Sequence, residues 1–228
     1  VQFTSEAPLS LRNLVLETTP ESKLHNRALG ILSLKGNLEL KNCEFSGFMN
    51  GLNANAMEPV VIRDCYFHHN HHGVSILASP AVLENNVFSE NFQESVVLMH
   101  PDIVLKKNKI RRNQNGGVFV APSTMIDRWD RPIVFEENEF TDNNMFGVDF
   151  FHMKGYKVAP TGDLGGGGRS KGKNVFKNNG KFDIMVEGGQ KIYAKNNIWS
   201  ATSKKEIKKR IFLKENAKLV LDREDENE

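Results

Sequence analysis

The residues best equipped for chemistry fall in three places. His68-His69-Asn70-His71-His72 sets four imidazoles within five positions, and Asp127-Arg128-Trp129-Asp130-Arg131 surrounds an indole with charge. Asp149, Phe151, His152, Tyr156, Asp163 and Arg169 follow along the next stretch. An aromatic ring flanked by such groups suits sugar recognition. It gives a flat apolar surface for the sugar face, with carboxylates and guanidiniums for the hydroxyls. The competing reading of Trp129 is that it packs its loop onto the body of the protein. Clustered imidazoles raise the question of a metal. Successive residues at a turn diverge, however, and no carboxylate lies at ligand spacing in that segment. Only Glu90, one repeat later, would approach His69, so the histidines read as a surface cluster. A lyase needs a base and neutralisation of the uronate carboxylate, often by Ca²⁺ held by several carboxylates. Asp127, Asp130, Asp149 and Asp163 are available for that, but they do not occupy matching positions of successive repeats. A hydrolase needs convergent carboxylates, and no clear set emerges. The glycines 165–168 lack the Lys-Ser/Thr of a phosphate loop and read as a tight turn.

What must position these groups is a repeat. Ile133 to Asn143 is an apolar alternating run, a polar pair, Asn, one variable residue, a large apolar residue, two polar residues and Asn. The same sentence recurs from Leu38, Val60, Ala81 and Ile103, with weaker copies near Leu9, Lys173 and Ile192. Anchors at Asn13, Cys43, Cys65, Asn86, Asn108, Asn138, Asn174 and Asn197 are spaced 30, 22, 21, 22, 30, 36 and 23 apart. A core period near 22 with insertions is a solenoid, one coil per repeat. A second short alternating run follows each anchor, as in Gly73-Val74-Ser75-Ile76 and Gly117-Val118-Phe119-Val120. Two or three strands leave no length for a helix, which predicts an all-β parallel β-helix.

The anchor column then predicts stacked Asn amides that satisfy buried turn backbone. Cys43 and Cys65 become stacked neighbours in poor disulfide geometry, hence free thiols. The column Phe45, Phe67, Phe88, Ile110, Phe140, Phe176, Trp199 predicts a stacked apolar core. Outward columns such as Lys41, Arg63, Glu84, Lys106, Glu136 and Gly47, His69, Glu90, Arg112, Asp142 read as solvated charge ladders. Coils fill residues 1–200, with insertions at 17–27, 121–132 and 153–172. Residues 201–228 supply a capping helix from Lys204 to about Lys214 behind the N-cap Ser203, a strand at 218–221 and an acidic tail. Phe119 and Phe151 point outward from the strands that the two later insertions leave, so those loops wall this face.

The 228 residues carry 30 basic and 28 acidic side chains, which implies no strong overall field for nucleic acid. No apolar run approaches the roughly 20 residues of a membrane span. The chain opens on Val1-Gln2-Phe3 within a strand-like run, as a trimmed product with earlier coils removed would.

These coils resemble the right-handed parallel β-helix repeat of the pectin lyase-like superfamily. The run Asp163-Leu164-Gly165-Gly166-Gly167-Gly168, then Asn174-Val175-Phe176, then Ala194-Lys195-Asn196-Asn197-Ile198-Trp199 is similar to the closing segment of bacterial secreted β-helix proteins. Where those relatives show Trp-Gly, this chain has Trp199-Ser200. The resemblance implies export, to the periplasm, cell surface or medium. It does not fix an activity, since the superfamily spans lyases, hydrolases, epimerases, adhesins and scaffolds.

The expectation is a non-catalytic, secreted or envelope-associated domain without a cofactor. It binds a polysaccharide, another envelope component or a protein through Phe119, Asp127, Arg128, Trp129, Asp130, Arg131, Asp149, Phe151, His152 and Tyr156. The alternatives are a polysaccharide lyase, with Ca²⁺ entering only there, and a structural scaffold.

Overall fold

A computed structural model describes residues 3–5, 8–18, 28–55, 57–152, 154–188, 190–214 and 216–222. The part of the 17–27 insertion beyond residue 18, and the acidic tail beyond Asp222, fall outside these. Each coil carries three short strands, and like strands of successive coils pair in parallel. Among the described residues, sheets A and B have nine strands and sheet C has eight. A coil runs from sheet B through a tight corner to sheet C, then to sheet A, and back to B; Val60–Arg63, Tyr66–His68 and His72–Ile76 are one such set. Registers follow the repeat: Phe88 pairs with Phe67 and Ile110, and Ile110 with Phe140. The inward column is fully buried from Phe45 to Phe176. Its rings stack face to face, with centroids of Phe45 and Phe67 4.7 Å apart and of Phe176 and Trp199 4.8 Å apart. That spacing is the strand separation itself, so one large apolar side chain per coil from Phe45 to Trp199, an aromatic in all of them but the coil of Ile110, packs directly on the next.

Two amide ladders run up the corners. At the corner between B and C, the backbone N–H of Cys65 donates to Asn86 Oδ1 at 2.9 Å, and Asn86, Asn108, Asn138 and Asn174 repeat the pattern upward at 2.9–3.0 Å. Each of these Asn side chains also donates to a main-chain carbonyl of the coil below, as Asn138 does to Leu105 at 2.9 Å. Where Cys replaces Asn, Cys43 N–H meets Cys65 Sγ at 3.4 Å, and both thiols are free and buried. Asn13 does not belong to this file. Its side-chain oxygen accepts from Asn42 at 2.8 Å, so Leu14 holds the anchor level in the first coil. The misplacement is one residue: Asn13 has the left-handed φ of 58° shared by Asn42, Asp64, Asn85 and Lys107, which precede the anchor. The second ladder, Asn70, Asn91, Asn113, Asn143 and Asn179, supports the corner between C and A. Next to it the chain must pass close to the coil above. A Cβ on Gly51 would lie 2.7 Å from the Gly73 carbonyl oxygen and 2.8 Å from the Phe67 ring.

The 153–172 insertion divides in two, because Gly162–Asp163 rejoin sheet B opposite Ile133 and Val134. The glycines beyond form a separate corner loop. Helix α1 spans Lys204–Lys209, shorter than expected, because Ile211–Leu213 return to sheet A as a strand beside Ile184–Val186. Ser203 caps it by accepting from the Glu206 N–H at 3.2 Å, and no residue of α1 is buried.

Candidate functional site

The outward side of sheet A carries Phe119, Asp149 and Phe151 of the expected residues. Its central file is Asn53, Ser75, Val97, Phe119, Asp149 and Met185. Phe151 stands two residues on from Asp149, opposite Glu187. Phe119 and Phe151 form a tilted pair 5.4 Å apart, both half-buried. Asp149 is 4% exposed although it faces out, and its Oδ1 has no hydrogen-bond partner. Burial, with lesser repulsion from Glu187 and Glu94, pushes its carboxyl up to about 8, so at neutral pH it is predominantly an uncharged acid. Glu94 was not singled out from sequence, because it precedes the apolar run that marks the strand. It accepts from Asn115 Nδ2 at 2.6 Å and lies 3.8 Å from His72 Nδ1. His152 rests against Gly188, where an added Cβ would lie 2.7 Å from its own Cβ, and its Nε2 is 3.5 Å from the Tyr156 carbonyl oxygen.

The two insertions meet. Ser123, Thr124, Ile126 and Asp127 face Gly155, Tyr156, Lys157 and Val158 across a cavity of 240 Å³. Asp127, Arg128, Asp130 and Arg131 are exposed, and Arg131 pairs with Asp102 at 3.4 Å. Trp129 turns inward: it is half-buried and packs on the core, and its Nε1 is enclosed without a partner. The indole therefore anchors its loop, and it does not stand beside Phe119 as a free sugar platform. Asp163 is also committed elsewhere. Fully buried, it accepts from the N–H groups of Gly165, Gly167, Arg169 and Ser170 at 2.8–3.0 Å, which explains the Asp-Leu-Gly-Gly run. Asp127, Asp130, Asp149 and Asp163 thus form no shared ligand set, and the residues present do not fit the Ca²⁺ of a lyase. Among the described residues no three His, Cys, Asp or Glu side chains group to hold a metal.

A larger cavity, 610 Å³, opens at the corner leading onto sheet A. Ser46, Gly47, Phe48, His68, His69, His71 and Phe92 line it. The left-handed turn residues Gly47, His69 and Glu90 stack here, with φ of 79°, 52° and 56°, and His69 and Glu90 turn their side chains outward. His68 is fixed between Glu44, 2.9 Å from its Nε2, and His69, whose Nδ1 is 2.8 Å from its own. His69 Nε2 reaches Glu90 at 3.3 Å, and Arg112 meets the other oxygen of Glu90 at 2.8 Å. The expected approach of Glu90 to His69 is present. Burial holds His71 below the usual imidazole range, and its Nδ1 lacks a partner. Phe92 is 46% exposed at the rim. The sequence alone does not mark Phe48 or Phe92, because only the stacking of coils brings them beside the histidines.

No curated protein matches the chain. The family profile described as "Right handed beta helix region" matches residues 19–160, well over half of the sequence and all the coils that build both cavities. Three parallel sheets of stacked short strands agree with it, and the chain belongs to the right-handed β-helix family.

Proposed function

We propose that this chain is a saccharide-binding module of an exported or envelope-associated protein, non-catalytic in itself. It takes a sugar unit at the corner cavity and runs the polymer onto the outer side of sheet A. The observation that carries the reading is the exposed Phe92 ring beside His68, His69 and His71 in a cavity of 610 Å³, a size that suits a small ligand. The ring supplies a stacking face, and Nδ1 of His71, which has no partner within the protein, is left for a hydroxyl. Binding is measured by glycan array and then calorimetry. Phe92→Ala, which empties no core, should weaken binding about tenfold or more, with the melting temperature unchanged. Undiminished binding in Phe92→Ala and His69→Ala together would remove the site.

A second reading rests on Asp149. An uncharged carboxylic acid among rings, with Glu94 and Glu187 near it, resembles the general acid of a carbohydrate-active enzyme. Uronate polymers incubated with the protein, with and without Ca²⁺, test it by absorbance of unsaturated ends and by reducing-end release. Turnover abolished in Asp149→Asn would replace the binding reading with catalysis.

A further inference from the structure

The carboxy-terminal end of the rod is charged in a way that overall composition conceals. From Arg169 to Lys218 the chain has fourteen Lys and Arg against four Asp and Glu, although the whole sequence nets only +2. With the acidic run that follows included, residues 169–228 still net +6. Two of the four acids are already paired, Asp183 with Arg210 at 3.4 Å and Glu187 with Lys214 at 3.7 Å. These residues form the last two coils, so the excess lies within about 10 Å of rod length. It also encircles the rod. Lys173 stands at the corner between sheets B and C, Lys177 on C, Lys181 and Lys208 between C and A, Lys214 between A and B, and Lys191 on B, all exposed. On the terminal rung Ile198 is 59% and Leu213 44% exposed among these cations, and the strands bearing them are the last of their sheets.

A linear polyanion laid along a rod touches one side of it. A ring of cations around a blunt end is matched by a flat anionic surface met end-on. Twelve of the fourteen cations are lysines. A lysine is a point charge on a flexible stem, suited to diffuse attraction more than to the paired hydrogen bonds by which arginine selects one group. Exposed Ile and Leu beside such charges favour a headgroup interface, where the apolar side chains leave water while the ammonium groups stay hydrated. We propose that this end of the solenoid docks on an anionic lipid surface, so that the rod stands out from the bilayer. The proposal is independent of the saccharide reading, which uses the side of the rod.

Co-sedimentation tests it, using vesicles of phosphatidylcholine alone and with about one-third phosphatidylglycerol. The protein should pellet with the anionic vesicles only and be released by about 1 M salt. Lys205→Gln, Lys208→Gln and Lys209→Gln together lie on a helix that buries nothing. They should lower partitioning on the order of a hundredfold with the circular dichroism unchanged. The mid-rod set Lys107→Gln, Lys109→Gln and Arg111→Gln should leave it intact. Equal pelleting with neutral vesicles, equal loss from both triple variants, or binding to soluble heparin without binding to vesicles would each overturn the proposal.

Discussion

Asp149 and Asp163 are both buried carboxyls on an outward file, and their surroundings treat them in opposite ways. Asp149 has one unpartnered oxygen and is pushed up to about 8. A raised carboxyl binds its proton more tightly folded than unfolded. Its contribution to stability is therefore complete below pH of about 4 and is lost as pH rises through about 8. Urea unfolding of the native chain should lose a few kcal/mol between about pH 5 and 8 from this group. Asp149→Asn should flatten that slope and be the more stable protein at the alkaline end. Asp163 instead has four donors around it. Asp163→Ala would leave them without their acceptor and should cost about 3 kcal/mol or more in a denaturant titration. Sequence puts Asp149 on the outward file of its strand, where it lies, but puts Asp163 in the loop walling that face, whereas it belongs to sheet B. The difference lies in whether a loop folds back to supply N–H groups, as Gly165, Gly167, Arg169 and Ser170 do, or apolar neighbours from other coils close in, as Phe119 and Met185 do. Trp129 stays open between packing and binding for the same reason, since composition names an aromatic but not the direction it turns.

At the level of strand and corner the chain was far more readable. A period near 22 residues sets one side chain over another, so a column written from the sequence is a vertical file in the structure; Phe45, Phe67, Phe88, Ile110, Phe140 and Phe176 fill one file without exception. The error at Asn13 arose where a coil begins with two consecutive asparagine-tolerant positions, one turning with positive φ and the other stacking. The second amide ladder is visible as the Asn that closes most repeats, with Phe48 in its place in the repeat from Leu38, yet its role needs the corner geometry. Asn138 shows what the ladders contribute. It donates to Leu105 and Asn174 and accepts from the Asn108 backbone and side chain. Asn138→Ala strands several of these buried groups and should destabilise by about 2–4 kcal/mol, read as a shifted urea midpoint. An exposed-corner change such as Asp142→Asn should move it by less than about 0.5 kcal/mol.

For the whole molecule, each coil touches mainly its two neighbours, so damage at one end should stay there. Arg210 ties the final turn to the Asp183 carboxylate and to the carbonyls of Gly180 and Asn179. Arg210→Ala should speed amide hydrogen exchange across residues 182–220 while residues 60–120 keep their protection. The charge balance was the large-scale property that sequence reading passed over, because a sum over the chain averages an acidic majority against a basic end. The 22-residue step has one further implication. The backbone N–H groups of Cys65, Asn86 and Asn108 stand one step apart along the axis, each donating to the Asn of the next coil in the same geometry. Copying the segment between two such levels would lengthen the rod by about 4.8 Å and create no contact the protein does not already make. The fold therefore works as an adjustable spacer, whose reach can change by whole steps while its two ends keep their chemistry.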